Sequence, residues 1–375
     1  MNFEPYPFEK LAKLLDGIEP STQYAPLALT IGEPQFETPE FIQEGLKEKA
    51  SLLNKYPKSS GEDFLYDAIK TYLSKRFDLS LKNSQIIPTF GTREVLFNFP
   101  QFLLFDKPDP VMAFPNPFYQ IYEGAAIASR AKVIHLDLDR ENNFLPKIDK
   151  EALKNVDLVI LNSPNNPTSS VMSFDDMEEW IKLALEYDFV LLNDECYIDL
   201  YIDEPLPSLL NVSKQIGNVD YKNILVANSI SKRSSAPGLR SGFLAGDENI
   251  LKEYMKYRTY VGCASPLPLQ YASALAWSDK DHADFFRNKY KKNFEIAKDI
   301  LGITPPLATF YIWLKVDDEF DFTKKLYKDY NLKVLPGSLL GRSGAGSGYV
   351  RLALVYDEET TKDALIRIKQ ALKKD

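Results

Sequence analysis

Apolar residues in this chain fall into short unbroken runs. Val111-Met112-Ala113-Phe114, Leu158-Val159-Ile160-Leu161, Phe189-Val190-Leu191-Leu192 and Ile224-Leu225-Val226-Ala227 carry no alternating polar positions. Such runs read as strands covered on both faces, the mark of a parallel sheet. Several stop at a polar cluster: Asn162-Ser163-Pro164-Asn165-Asn166-Pro167-Thr168, Asp194-Glu195-Cys196-Tyr197, and Ser229-Ile230-Ser231-Lys232. Further strands are expected at Ile86–Phe90, Lys132–Leu138 and Gly242–Gly246, and a short one at Leu27–Ile31, broken by Gly32-Glu33-Pro34.

Helical spacing appears between the runs. One helix is expected from about Glu62 to Leu73 and another from Val95 onward, where Pro100 predicts a kink or an early end. Ser173 followed by Asp176 starts a helix that continues through Leu185. Lys252–Tyr257 and Phe285–Leu301 complete the set, the last leading out of the larger part of the chain. The C-terminal segment alternates at Phe310–Val316 and Tyr349–Val355, with helical stretches between and after them. The pattern predicts an α/β chain. Its parts are residues 1–45, an N-terminal arm that also contributes to the small domain, a large mostly parallel domain over 46–280, and a smaller α+β domain built from both termini and centred on 281–375.

A length of 375 residues with 45% hydrophobic content suits two domains rather than one small core. The net charge of −8, with signs interspersed and no basic stripe, argues against nucleic acid. No run reaches the length of a membrane span, and Met1-Asn2-Phe3-Glu4-Pro5 does not look like a signal peptide. Cys196 and Cys263 lack metal spacing and fit a reducing, cytoplasmic setting. Neither His135 nor His282 is placed to suggest a zinc site or a serine–histidine pair; His135, inside an apolar alternation, reads as a core or edge residue.

The densest candidate chemistry is Ser229-Ile230-Ser231-Lys232 with Pro237-Gly238-Leu239-Arg240-Ser241-Gly242. Pro237 and Gly238 put Lys232 and Arg240 on irregular backbone at a strand's carboxyl end. A lysine near a fixed cation is a better amine nucleophile near neutral pH, suited to condensing with an aldehyde, although an ordinary solvated loop reads the same way. Gly91-Thr92-Arg93 opens a helix whose free N–H groups make an anion site, or a plain helix start. The proline-bound loop holding Phe118, Tyr119 and Tyr122 offers an aromatic for stacking on a flat ring; Phe118 and Tyr122 read as core. Asp194 at the end of a buried strand needs a partner, whether a ligand nitrogen, a helix cap or a salt bridge. Asn166 offers an amide donor, and Arg351 sits on the face opposite Val350 and Leu352, either for a carboxylate or for a strand-face ion pair. Gly344-Ala345-Gly346-Ser347-Gly348 fails the dinucleotide fingerprint and reads as a mobile loop.

Taken in order, Gly91-Thr92, Tyr119, Asn166, Asp194-x-x-Tyr197, Ser229-x-Ser231-Lys232, Arg240 and Arg351 resemble the site of the fold type I pyridoxal-phosphate aminotransferases over nearly the whole chain. The resemblance implies a mostly parallel seven-stranded sheet with helices on both faces. It implies that Lys232 binds the cofactor aldehyde and carries the proton. Asp194 would face the ring nitrogen, with Asn166 and Tyr197 on the ring oxygen and Tyr119 on the ring face. Gly91, Thr92, Arg93, Ser229, Ser231 and Arg240 would surround the phosphate, joined by Tyr56 of a second copy in a homodimer. Gly32, Asn166 and Arg351 would meet the substrate's carboxylate. One departure is Ser169, where the family's N-P-T-G pattern has glycine, which leaves that turn's geometry open. Tyr6–Leu11, Pro115–Ala126, Ser231–Ser234 with Pro237–Phe243, Tyr257–Tyr260 and Val334–Ser338 further resemble the succinyldiaminopimelate transaminases of bacterial lysine biosynthesis. That resemblance implies glutamate and 2-oxoglutarate as the donor pair. Aspartate or aromatic transamination, a β-lyase reaction or a non-catalytic cofactor-binding regulator are the alternatives. Arg258, Arg342 and Phe8 are candidates for the substrate's distal end.

Overall fold

The computed structural model describes residues 3–373. Its centre is a seven-stranded sheet in the order Ile86–Thr89, Gly242–Gly246, Ile224–Ser229, Val190–Asp194, Leu158–Asn162, Val111–Asn116, Lys132–Asp137. Gly242–Gly246 runs antiparallel to both neighbours and every other pairing is parallel. The strand order reverses beside Leu158–Asn162, and the carboxyl ends there form the crevice where α/β sheets bind ligands. The apolar runs are buried on both faces because separate cores cover them. One contains Val159, Leu161, Leu191 and Trp180; the other contains Leu158, Ile160, Leu192 and Phe99.

A second core gathers around a three-stranded antiparallel sheet, in the order Leu335–Pro336, Tyr349–Ala353, Tyr311–Lys315. It packs Val350, Leu352, Ile312, Phe294 and Leu365, and it takes Leu29 from the N-terminal segment. Leu27–Ala28 pairs in parallel with Leu332–Lys333, so the beginning of the chain is stitched to its end.

Ser173 caps Phe174–Tyr187 with the reciprocal Asp176 bond expected of a capping box. The long charged helix is Asp281–Leu301. Three expectations differ. The helix Thr92–Leu103 runs through Pro100 and ends three residues beyond it; a proline one turn from the end disturbs few of the ladder bonds. Lys232 lies on a single helical turn, Ile230–Arg233, not on irregular backbone, because Ser229 caps that turn by accepting from Ser231 N. Residues 344–348 form hydrogen-bonded turns, and Gly346 packs so closely on the Gly337 backbone that a Cβ would collide with it. The helices Glu40–Lys49 and Leu267–Ser278 had no reading in the sequence. Leu267–Ser278 is apolar on nearly every side, so its 3.6-residue period is hidden; its start is marked by Pro266 and Pro268.

Candidate active site

The carboxyl ends of three adjacent strands bring the site together. Asn162 and Asp194 are in register, and Asp194 is in register with Ala227, two residues before Ser229. Asn162 acts as a bracket between the strand ends: Nδ2 donates to the Asp194 carbonyl (2.8 Å) and the Pro164 carbonyl (3.0 Å), and Oδ1 accepts from Asn166 N (2.8 Å). The sequence reading gave Asn162 no role. Ser169 adopts φ +62°, the left-handed region that favours glycine. Its hydroxyl compensates by bonding Thr309 Oγ1 (2.6 Å) and the Tyr311 carbonyl (3.0 Å), so the turn keeps a shape that glycine would allow.

Asp194 is buried. Oδ2 accepts from Tyr122 Oη (2.9 Å) and Oδ1 from Cys196 N (3.2 Å). No lysine, arginine or histidine among the described residues lies within ion-pair distance of it. Burial pushes its carboxyl above the usual range, and the bonds from Cys196 and Tyr122 oppose that. Tyr122, expected only as core, is fully buried and also holds this carboxylate. Cys196 adds a thiol 3.0 Å from Thr92 Oγ1, tying this strand end to the start of the helix Thr92–Leu103.

That helix start forms a cradle. Gly91 has φ +78°, and a side chain there would strike the guanidinium of Arg240. Only glycine lets the cation come so close to the backbone at this helix start. Arg240, at φ +53°, donates to the carbonyls of Pro237 (2.9 Å) and Phe90 (3.4 Å) and has no carboxylate partner among the described residues. Ser229 Oγ donates to Ser231 Oγ (2.8 Å) in the facing wall. Arg93 Nε donates to Tyr119 Oη (2.9 Å), so its guanidinium braces the aromatic rather than lining the cradle.

Lys232 Nζ bonds the Gly32 carbonyl and lies 5.8 Å from the Phe310 ring centroid. Burial is the main reason its pKa falls to about 8; the nearby cations Arg351 and Arg240 lower it further, while Cys196 and Glu33 oppose. Gly32 has a packing reason of its own, since a Cβ would run into the Tyr311 hydroxyl. Tyr311 in turn pairs with Tyr197 through their hydroxyls (3.0 Å).

Arg351 is buried, with its guanidinium 4.5 Å from the Tyr311 ring centroid. Nη1 donates to Asn166 Oδ1 (2.7 Å) and Nη2 to the Thr30 carbonyl (2.5 Å), while Nε has no partner. Strand alternation accounts for this: Val350 and Leu352 enter the core and Arg351 faces the crevice.

The structure thus brings Lys232, Asp194, Tyr197, Asn166, Arg351, Gly32, Thr92, Gly91, Ser229, Ser231, Arg240 and Tyr119 around one crevice, with Arg93 turned to Tyr119. Tyr56 stands apart, fully exposed. The three distal candidates do not converge. Arg258 is buried against Glu94 (2.5 Å) and the Ser59 and Cys263 carbonyls; Arg342 pairs with Glu123; Phe8 packs on Leu11, Leu335 and Leu340. Arg258 is committed to a structural ion pair with Glu94 and does not face the substrate, contrary to the expectation from the sequence.

Among the described residues, the buried Arg351 and Asp194 and the half-buried Arg240 have no opposite charge within ion-pair distance, and Lys232 acts on Asp194 only from further off. Buried charges without partners are costly unless a ligand completes them. A phosphate, a carboxylate and a protonated ring nitrogen would do so, and the donor set therefore fits pyridoxal phosphate with an amino-acid substrate.

Comparison with known proteins agrees. The family model for aminotransferase class I and II matches residues 25–368. An LL-diaminopimelate aminotransferase of Natranaerobius thermophilus is 30% identical, covering 98% of this chain and 97% of its own length. The crystal structure of the aminotransferase AspB of Helicobacter pylori is 49% identical and covers 99% of both chains with a TM-score of 0.97. An aminotransferase from Neisseria meningitidis is 38% identical and covers 99% of this chain and 98% of its own, with a TM-score of 0.95. The chain belongs to the class I and II aminotransferases, fold type I enzymes that work with pyridoxal phosphate.

Proposed function

We propose that this aminotransferase moves an amino group from glutamate to the 2-oxo acid of the succinyldiaminopimelate transaminase reaction. The observation that carries the site reading is the trio of charges with no opposite charge within ion-pair distance among the described residues, Arg351, Arg240 and Asp194. The acceptor assignment leans on the five resembling segments and on a relative named for diaminopimelate, the same skeleton without its succinyl group.

When bound, pyridoxal phosphate supplies an electron-withdrawing ring that makes the hydrogen on the substrate's Cα acidic. Arg351 holds the substrate's α-carboxylate, its guanidinium oriented by Asn166 and the Thr30 carbonyl. Gly91, Thr92, Ser229, Ser231 and Arg240 hold the phosphate. Tyr119, braced by Arg93, covers the ring. Asp194, braced by Tyr122, keeps the ring nitrogen protonated. Asn166 and Tyr197 donate to the ring oxygen. Lys232 would act as the base and acid that moves the proton away from the substrate's Cα and back. With its pKa near 8, about a tenth of such an amine is unprotonated at pH 7. The working unit in this reading is a cytoplasmic homodimer, with the exposed Tyr56 reaching the phosphate of a second copy. The division at 280/281 belongs to the same reading, supported by the separate core around the three-stranded sheet, whereas a boundary at 45/46 would cut the helix Glu40–Lys49, whose Ile42 packs in the large core.

An absorbance spectrum with and without glutamate tests the reaction class. Transamination predicts conversion to the pyridoxamine form; with a β-chlorinated amino acid in place of glutamate, release of chloride without that conversion would point to a lyase. An acceptor panel then ranks the succinylated 2-oxo acid against oxaloacetate and phenylpyruvate; a preference for either of those would overturn the substrate assignment. Lys232→Ala is expected to lose both the lysine-dependent absorbance band and turnover, and retained turnover would remove its role.

A further inference from the structure

The turn that carries Lys232 cannot hold itself. Ile230–Arg233 closes on the bond from Ser234 N to the Ile230 carbonyl (2.9 Å), and one turn of helix is unstable alone. Its orientation comes from what grips the neighbouring side chains. Arg233, buried, donates from Nε to Asp199 Oδ2 (2.7 Å), from Nη1 to the Ala276 carbonyl (2.7 Å) and from Nη2 to the Asp279 carbonyl (3.2 Å). Ser234 Oγ, on a residue with no solvent exposure, lies 2.8 Å from His282 Nε2. Asp279 Oδ1 accepts from His282 N (3.0 Å) and lies 2.5 Å from His282 Nδ1. Ala276 belongs to the helix Leu267–Ser278, Asp279 follows it, and His282 opens Asp281–Leu301, whose far half enters the second core through Phe294 and Ala297. The back of the lysine turn is therefore bolted to the joint between two helices.

The network sets the tautomer. A carboxylate only accepts, so Nδ1 carries the proton; Nε2 is then an acceptor and Ser234 Oγ donates to it. Serine, histidine and aspartate stand here in the order of a hydrolytic triad, contrary to the sequence expectation that neither histidine was so placed. Ser234 is closed to solvent, so no substrate carbonyl reaches its oxygen and a nucleophilic role is excluded.

We propose that Ser234, His282 and Asp279 are positioning residues for Lys232: with Arg233 they fix the angle at which its amine meets the substrate's Cα. The proposal rests on Lys232 being the lysine that binds the cofactor. The groups facing His282 are few. Burial and the Arg233 charge hold the imidazole below its ordinary pKa, Asp279 and Asp199 oppose, and Phe41 and Phe286 pack on the ring without charge. Protonation at Nε2 would remove the acceptor for Ser234. Protonation would reverse this bond, with Nε2–H donating to Ser234 Oγ, so the arrangement in which Ser234 donates holds above the imidazole's pKa and is inverted below it, an effect on turnover confined to the acid side.

The test compares holoenzymes of Ser234→Ala, His282→Phe and His282→Gln with the wild type. For the first two, kcat should fall about tenfold with KM for glutamate nearly unchanged, the cost of a slightly misplaced reacting group. The midpoint of the pH titration of the lysine-dependent absorbance should move by about half a unit. His282→Gln, whose amide oxygen accepts from Ser234, should recover most of both. Wild-type kcat and titration in Ser234→Ala and His282→Phe would overturn the proposal. So would a fall in kcat that only tracks lost thermal stability and lost cofactor. A wild-type holoenzyme with no lysine-dependent band would instead overturn the role of Lys232 itself.

Discussion

Tyr122 shows how much a single hydroxyl decides. Its ring is fully buried, and its oxygen is 2.9 Å from the carboxylate assigned to the ring nitrogen. Tyr122→Phe keeps the packing and removes one bond to a charged acceptor, a change of about 1.5–3 kcal/mol at that carboxylate. The expected outcome is a lower kcat with little change in melting temperature, and equal losses in both would show a purely structural role. Lys232 offers a second case. Its folded pKa near 8 lies below the unfolded value of 10.5, so the unfolded chain binds more protons between those values. Stability of the cofactor-free protein should therefore rise with pH from about 8 to 10.5, and the cost of burying the amine is fully present below 8. Lys232→Met should stabilise the cofactor-free protein below pH 8, by roughly 1–3 kcal/mol, and flatten that rise. Denaturant melts at pH 7 and pH 10 would measure it, and an unchanged slope would refute the coupling.

At the scale of elements, the junction before Thr92–Leu103 matters most. Gly91 combines a left-handed φ with the close approach of Arg240, so an added methyl is strained on both counts. Gly91→Ala is expected to weaken cofactor binding by about tenfold or more, since the cation and the helix N-terminus act on one anion. Titration of the cofactor-free protein followed by absorbance would read this; unchanged affinity would place the phosphate elsewhere. This helix start was legible in the sequence because glycine followed by threonine at the end of an apolar run has a local meaning. The turn Ile230–Arg233 was not, since its helical state depends on Ser229, Asp199, Ala276 and His282, which are distant from one another along the chain.

At the scale of the whole molecule, the N-terminal segment crosses between the two cores. Lys232 bonds the Gly32 carbonyl, Ser235 Oγ the Phe36 carbonyl (2.6 Å), and Thr38 Oγ1 the Ser235 carbonyl (2.7 Å), while Leu29 enters the core around the three-stranded sheet. Tyr56 lies beyond this strap with its whole side chain exposed. Tyr56→Ala should leave the fold unchanged and raise the cofactor's dissociation constant severalfold if it serves a second copy. Sedimentation of the wild type as an active monomer would refute the shared site.

The sequence by itself determined the apolar strands and the burial of the inner ones on both faces, and its resemblance to a known family named the candidate groups around the crevice. The strands follow from unbroken apolar runs ending in polar clusters, information held within a few consecutive residues. It also determined that Arg351 would turn away from its core-facing neighbours, because alternation along a strand is local. Only the tertiary structure decided which side chains serve the site from behind, namely Asn162, Tyr122, Arg233, Ser234 and His282. Only it showed that Arg258 is spent on Glu94. Those roles depend on hydrogen bonds between positions tens to hundreds of residues apart, and no short-range pattern encodes which polar residue meets which.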